Sequence, residues 1–226
     1  MIELTHTDSI ISGLYTFKTK YKYAQLWDAV SGRRYCLPAD KGQVTLHLSP
    51  RESCIVVFSD NKELLDDKPL LCRHHVIDGK WTIDFDSRYH GVGRVECLKL
   101  EYWNKSEDLK VRYYSGTAIY ETSFEWNNTQ SAVYLQLPSN NCVTEVYINK
   151  EKAGTIWCSP WNLDISSYLK EGRNELRLEV TNSWNNRAIG DLKLKQDRII
   201  WKPELFVSKN SLLQNAGLQG NVMLIF

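Results

Sequence analysis

The sequence predicts an all-β protein, a small β domain over residues 1–75 followed by a larger β-sandwich over 76–226, and three observations carry that prediction. Apolar and polar residues alternate with period two through many short segments, clusters of Gly, Pro, Asn and Asp separate those segments, and no segment offers a long helical stripe. A chain of 226 residues can bury a proper core as one large β domain or as two small ones. A polar hinge favours two.

In the amino-terminal part, Tyr21, Tyr23 and Trp27 stand at strand spacing, and the Asp28 to Arg33 stretch turns. Val44, Leu46 and Leu48 then alternate before the apolar run SCIVVF, which suffices for a small β domain. The stretch from Asp60 to Pro69 is charged and holds a proline, so it reads as a surface connection. Beyond it, Trp81, Ile83 and Phe85 alternate with Thr82, Asp84 and Asp86 and open the second domain, with the boundary near His75.

The most informative stretch is Val111 to Ile189. Tyr120, Thr122, Phe124 and Trp126 alternate with Glu121, Ser123 and Glu125, and Leu176, Leu178 and Val180 do so against Glu175, Arg177 and Glu179. Each segment has one dry face and one wet face, as in antiparallel sheets covered on one side. Val133, Leu135 and Leu137 supply another strand, ended by Pro138 and the turn formers Ser139, Asn140 and Asn141. Between Val146 and Trp157 the run Asn149 to Gly154 reads as a hairpin loop, in which Gly154 can supply a positive φ.

These segments carry a resemblance. YYSGTAIY, the Ile-Asn-Lys hairpin followed by GTIW and a proline, LKEGRNELRLEVTNSW with NNRAIGD, and the terminal AGLQGNVMLIF resemble the C-terminal end of the family 106 α-L-rhamnosidases. Upstream, AQLWDAVSG, a strand pair and CIVVF resemble the small β domain that precedes the sugar-binding domain there. The resemblance implies that residues 76–226 form a jelly-roll, galactose-binding-like sandwich of the sugar-binding type found in glycoside hydrolases. It also implies a large catalytic barrel in the parent enzymes, whose carboxylates have no counterpart here, and a periplasmic or secreted location. The implied partners are a carbohydrate, such as a rhamnose- or galactose-containing glycan, and a catalytic barrel domain.

Composition narrows the classes independently. A formal charge of +1, without long runs of one sign, favours neither nucleic acid nor an anionic membrane as partner. Eight Trp and twelve Tyr serve as core filler and as flat faces with a polar edge. The opening MIELTHTDSIISG lacks the basic start and apolar run of a secretory signal, and no segment reaches membrane-spanning length. The six cysteines form no close pairs of the zinc-site kind and read as reduced, structural thiols, with Cys54 packed as a small hydrophobe. No metal or cofactor is expected, since His74 and His75 lack a spaced third ligand and no phosphate-cradling glycine loop occurs. The sequons at Asn104 and Asn127 are triplets too short to establish glycosylation.

Two loops are candidate carbohydrate sites, each with a structural alternative. Trp157 and Trp161 flank a Cys-Ser-Pro loop, where an indole face can stack on a pyranose or plug the core or meet a barrel. Trp184, Asn185, Asn186 and Arg187 follow a clean strand and offer the mixed donors and acceptors that sugar hydroxyls need. The alternative is pinning, with Asn satisfying a turn and Arg187 pairing with Asp191. Asn149 has the same two readings, ligand contact or turn.

No catalytic residue is assigned. Glycoside hydrolysis normally uses two carboxyl groups, and the pairs Asp66/Asp67, Asp84/Asp86 and Glu107/Asp108 sit in polar surroundings that would not raise a pKa. The leading expectation is a noncatalytic accessory region that binds carbohydrate or buttresses a barrel. The alternatives are a self-contained glycosidase with acids from loops holding Asp191 or Glu204, and a protein-interaction or adhesion module.

Overall fold

Alternation in sequence becomes alternation in burial in the computed structural model, which describes residues 2–5 as backbone and residues 9–69, 71–127, 132–194, 198–205 and 207–226. The chain divides into two compact units, one running to Leu71 and including Cys158–Pro160, the other comprising Cys72–Trp157 and Trp161–Phe226.

The first unit contains β1 (Ile2–Thr5), β2 (Ile11–Thr16), β3 (Tyr23–Trp27), β4 (Arg34–Leu37), β5 (Ala39–Asp40), β6 (Gln43–Leu48) and β7 (Ser53–Ser59). They form two antiparallel sheets, β1-β7-β3-β4 and β2-β6-β5. Val44, Leu46 and Leu48 point inward from β6 and meet Cys54 and Val56 of β7 in a shared core. The strand expected around Tyr21, Tyr23 and Trp27 forms as β3, with Ala24 and Leu26 buried and Tyr23 exposed, as is Tyr21 before it. Gln25 is tolerated inside because its Oε1 accepts a hydrogen bond from Trp27 Nε1 at 2.8 Å. The Asp28 turn forms as expected, with Asp28 Oδ1 accepting from Val30 N at 2.9 Å.

The second unit is a sandwich. Its strands are β8 (His74–Val76), β9 (Trp81–Phe85), β10 (Gly93–Cys97), β11 (Thr117–Trp126), β12 (Tyr134–Gln136), β13 (Val143–Ile148), β14 (Glu151–Ile156), β15 (Asn162–Asp164), β16 (Gly172–Thr181) and β17 (Met223–Ile225). A six-stranded sheet in the order β10-β9-β11-β16-β13-β14 faces a four-stranded sheet in the order β15-β12-β17-β8, and every pairing is antiparallel. The core lies between them. Trp81, Ile83 and Phe85, Tyr120 and Phe124, and Leu176, Leu178 and Val180 come from the larger sheet to meet Leu135 and Leu224 from the smaller. Trp103 anchors one end, donating from Nε1 to Tyr120 Oη at 2.6 Å and meeting Phe85 and Tyr114 edge to face.

Two local expectations change. The hairpin between β13 and β14 turns on Asn149 and Lys150 alone, both at positive φ (51° and 73°), so Gly154 lies inside β14. A Cβ there would stand 2.9 Å from Leu163 Cδ1, so a larger residue would need that side chain to shift. The second change is helical. Beside the short α1 (Leu109–Arg112), the run Asn185–Leu194 forms a ten-residue helix, α2, where the sequence reads as a loop. Its buried face consists largely of Asn186, Arg187 and Asp191 beside Ala188, Ile189 and Leu192, so no apolar stripe announces it.

Candidate functional site

Strand register sorts the candidate residues onto two ends of the larger sheet. Phe85 pairs with Ala118, Thr117 and Val143 both pair with Thr181, and Thr144 pairs with Ile156. The loops after β9, β14 and β16 therefore leave the sheet on the same rim, and Tyr89, Trp157 and Trp184 belong to those three loops. Asn149 turns at the other end of β13, six residues and about 17 Å of strand away. It cannot share a site with Trp184.

On that far end Asn149 is fully engaged. Its Nδ2 donates to Tyr168 O at 3.0 Å and to Asn174 Oδ1 at 2.8 Å, and its Oδ1 accepts from Glu175 N at 3.1 Å. Asn174, itself buried, ties the same corner to Lys170 and Gly172. The arrangement is a structural hub.

On the near rim, Trp157 is 59% exposed, whereas Trp161 is half-buried, packs against the core and receives Leu137 N on its carbonyl at 2.9 Å. Trp184 is 45% exposed and meets Tyr89, 39% exposed, edge to face at a centroid distance of 5.7 Å. Asn185 is half-buried. Asn186 is buried and clamps the backbone of Gln214, donating to its carbonyl at 2.7 Å and accepting from its N–H at 2.8 Å. Arg187 is buried as well, its Nε donating to Asp191 Oδ1 at 2.7 Å while Asp191 Oδ2 accepts from Ile199 N and Ile200 N at 3.0 and 2.8 Å. The rim thus exposes Trp184 and part of Asn185, and withdraws Asn186 and Arg187 into structure.

One residue ties the rim together. Tyr114 accepts Asp86 N on its hydroxyl at 3.1 Å, donates that hydroxyl to Thr117 O at 2.9 Å, and receives Asn182 Nδ2 on its own carbonyl at 3.0 Å. Burial pushes the Tyr114 phenol up to about 12. The Tyr89 loop and the Trp184 loop are thereby fixed to one buried residue, the first through its hydroxyl and the second through its backbone carbonyl. Tyr89 and Gln214 escape a sequence reading because each comes from a segment distant from Trp184 with no shared local pattern, whereas Ser183 belongs to the same run as Trp184.

The candidate carboxylates are exposed, capping or paired with a cation. Asp86 forms a bidentate pair with Arg88, whose guanidinium holds the Asp86 carboxyl below its usual range. Asp84, Asp66, Asp67, Glu107 and Glu204 are exposed, and Asp108 caps α1 by accepting from Lys110 N. Asp191 lies in α2 rather than a loop and is spent on Arg187 and two backbone N–H groups. His74 and His75 are exposed on β8, and among the described residues no three His, Cys, Asp or Glu side chains gather as a metal-ligand set. The six cysteines are free thiols. Asn104 of the first sequon donates to Asn215 Oδ1, while Asn128 and Thr129 of the second lie outside the described residues. A shallow concavity of about 290 Å³ opens at the other end of the sheet, beside Asp78, Lys99 and Glu101, but its one aromatic, Trp81, is 3% exposed and offers no stacking face.

No protein-family model matches the sequence. The chain is 34% identical over 126 residues to a Formosa agariphila protein described as "Putative beta-glucuronidase", a match covering 54% of this chain and 11% of that protein. Its fold matches a rhamnosidase from Novosphingobium sp. PP1Y with a TM-score of 0.86 at 27% identity, over 99% of this chain and 22% of the rhamnosidase. A beta-glucuronidase from Ruminococcus gnavus, solved with uronic isofagomine, shares the fold over 70% of this chain and 28% of its own, with a TM-score of 0.50 at 22% identity. The chain thus spans about a tenth to a quarter of the length of these relatives. In fold over 99% of its length the chain is similar to part of a rhamnosidase, and in sequence over 54% of its length to part of a protein described as a beta-glucuronidase, so it resembles a C-terminal portion of a glycoside hydrolase.

Proposed function

We propose that this chain is the noncatalytic accessory region of a carbohydrate-active enzyme resembling the α-L-rhamnosidases, and that its second, galactose-binding-like unit engages carbohydrate through the rim carrying Trp157 and Trp184. One observation carries the reading: a match over 99% of the chain occupies only 22% of a rhamnosidase, which leaves most of that enzyme outside the matched portion. The rim supports the carbohydrate part, because indole faces there stand exposed on loops held by a rigid sheet. The test is to titrate the purified chain calorimetrically with rhamnose- and galactose-bearing oligosaccharides, and to assay it on aryl rhamnosides and galactosides. Binding without turnover is expected. Turnover abolished by a single carboxylate substitution would make the chain a glycosidase in its own right.

A second reading, a buttress for a catalytic barrel, is favoured by a different feature. Asp191 fixes the backbone at Ile199 and Ile200, and the segment that follows presents Trp201, Leu205 and Leu212 at 85%, 72% and 88% exposure. Large apolar side chains so exposed are suited to burial against another domain. Joining the chain to its parent barrel and measuring protection of Trp201 from solvent quenching would test it, with unchanged quenching counting against the buttress.

A further inference from the structure

We infer that Tyr89 and Trp184 form an aromatic corner that receives a terminal, uncharged pyranose unit of a glycan, with Ser183, Gln214 and Asn185 offering hydrogen bonds to its hydroxyls. This rests on the carbohydrate-binding reading and adds a second wall, a polar fringe and a charge class to it.

The corner starts from exposure. The two rings touch, yet each remains more than a third exposed, whereas the other edge-to-face partners in this unit, such as Phe85, Trp103 and Tyr114, are closed into the core. An interplanar angle of 77° sets two aromatic surfaces nearly at right angles. A pyranose carries its C–H groups on its faces and its hydroxyls around its edge, so one ring can cover a sugar face while the other meets its side. A corner of this shape fits the end of a glycan better than its middle.

Polar groups suited to the sugar edge flank Trp184 in the chain as Ser183 and Asn185, and Ser183 holds Gln214. Ser183 Oγ donates to Gln214 Oε1 at 3.0 Å, and the Gln214 amide hydrogens have no partner among the described residues. Asn185 donates from Nδ2 to Asn186 Oδ1 at 3.4 Å, which keeps its own carbonyl oxygen for another donor. Donor and acceptor are both present, as a hydroxyl requires. The charges flanking Tyr89 cancel: Asp86 and Arg88 close on each other through a bidentate pair, with 2.7 Å from Nη2 to Oδ2. Little remains there to attract a carboxylate, so a neutral sugar suits this corner better than a uronate.

The corner is also built before any ligand arrives. Asp86 O accepts from Tyr89 N and Gly91 N at 3.1 and 3.0 Å, Asn182 Oδ1 accepts from Gly116 N at 2.9 Å, and Tyr114 binds both loops through Asp86 and Asn182. Loops fixed this way lose little freedom on binding, which favours affinity for a small ligand.

The experiment measures binding of the full chain to methyl glycosides of neutral hexoses and 6-deoxyhexoses, with methyl β-D-glucuronide as the anionic counterpart. The expected result is weak but saturable binding of a neutral glycoside, lowered about tenfold or more by Tyr89→Ala and by Trp184→Ala, and largely kept by Trp184→Phe. Thermal melts of each variant separate a lost contact from a lost fold. Neutral-glycoside binding untouched by both alanine variants would overturn the corner and leave carbohydrate binding standing elsewhere on the chain. Absence of binding to every glycan, oligosaccharides included, would overturn both, and a preference for the glucuronide would overturn the neutral class.

Discussion

Arg187 and Asp191 lie one turn apart on α2 with both side chains buried, and Arg187 Nε reaches Asp191 Oδ1 at 2.7 Å. The pair fixes more than the helix, because the second carboxylate oxygen receives Ile199 and Ile200. Buried charges are tolerated when paired and hydrogen-bonded, and removing one partner leaves the other poorly matched to its surroundings. Asp191→Ala is therefore expected to cost about 3–5 kcal/mol, read as a lowered midpoint in urea unfolding. A variant within 1 kcal/mol of the parent, on the same order as a surface change, would show that the pair is dispensable.

Asn149→Ala removes three side-chain hydrogen bonds at a turn with φ of 51°, so a loss of about 1–3 kcal/mol is expected. Glycan affinity should stay unchanged, since the residue lies on the far end of the sheet. Calorimetry and a melt on the same variant check both halves, and weakened binding with intact stability would return Asn149 to the site.

Gly217 has a φ of 79°, and a Cβ there would stand 2.3 Å from Trp103 Nε1. Gly217→Ala combines an unfavourable backbone conformation with overpacking against the aromatic cluster, for an expected cost of about 2–4 kcal/mol. Chemical unfolding measures it, and near-ultraviolet circular dichroism should show the Trp103 environment disturbed.

Alkaline pH should loosen the second unit. Tyr114 ionises near pH 10 when unfolded and at about 12 when folded, so its contribution is complete below pH 10 and is lost as pH rises toward 12. The expected loss is about 3 kcal/mol. Tyr114→Phe should flatten that part of the stability profile, and tyrosinate absorbance in the parent should lag behind that of free tyrosine. A profile of equal steepness in the variant would assign the alkaline transition to another group, Tyr120 being the next whose burial raises its phenol.

Thiol reactivity should follow burial. Cys36 and Cys72 are exposed and should titrate promptly with a disulfide reagent, while Cys54 and Cys142 are buried and pushed up by desolvation, so they should react only on unfolding. Immediate reaction of all six would mean that these cores open readily.

Local pattern was sufficient for most strands. β6, β9, β11 and β16 follow directly from alternation, because a sheet with one covered face requires period two whatever its neighbours are. The helix α2 was not legible, since Asn186, Arg187 and Asp191 count as polar in sequence and become interior only once they find one another and Gln214. The spacing of Tyr21, Tyr23 and Trp27 marked a strand but not its inward face, which Ala24 and Leu26 supply on β3.

The sequence by itself determined the all-β class, many of the strand positions and the richness of Trp, Asn and Arg in the loops, all of which depend on residues close together along the chain. Only the tertiary structure decided which loops share an end. Asn149 and Trp184 look alike as loop residues, but the antiparallel register of β13 with β16 sends them to opposite rims. Tyr89 and Trp184, 95 positions apart, meet because β11 pairs with both β9 and β16 and so aligns the ends of those two strands. Strand order is fixed by the summed packing of a whole sheet, and no short window of residues contains it.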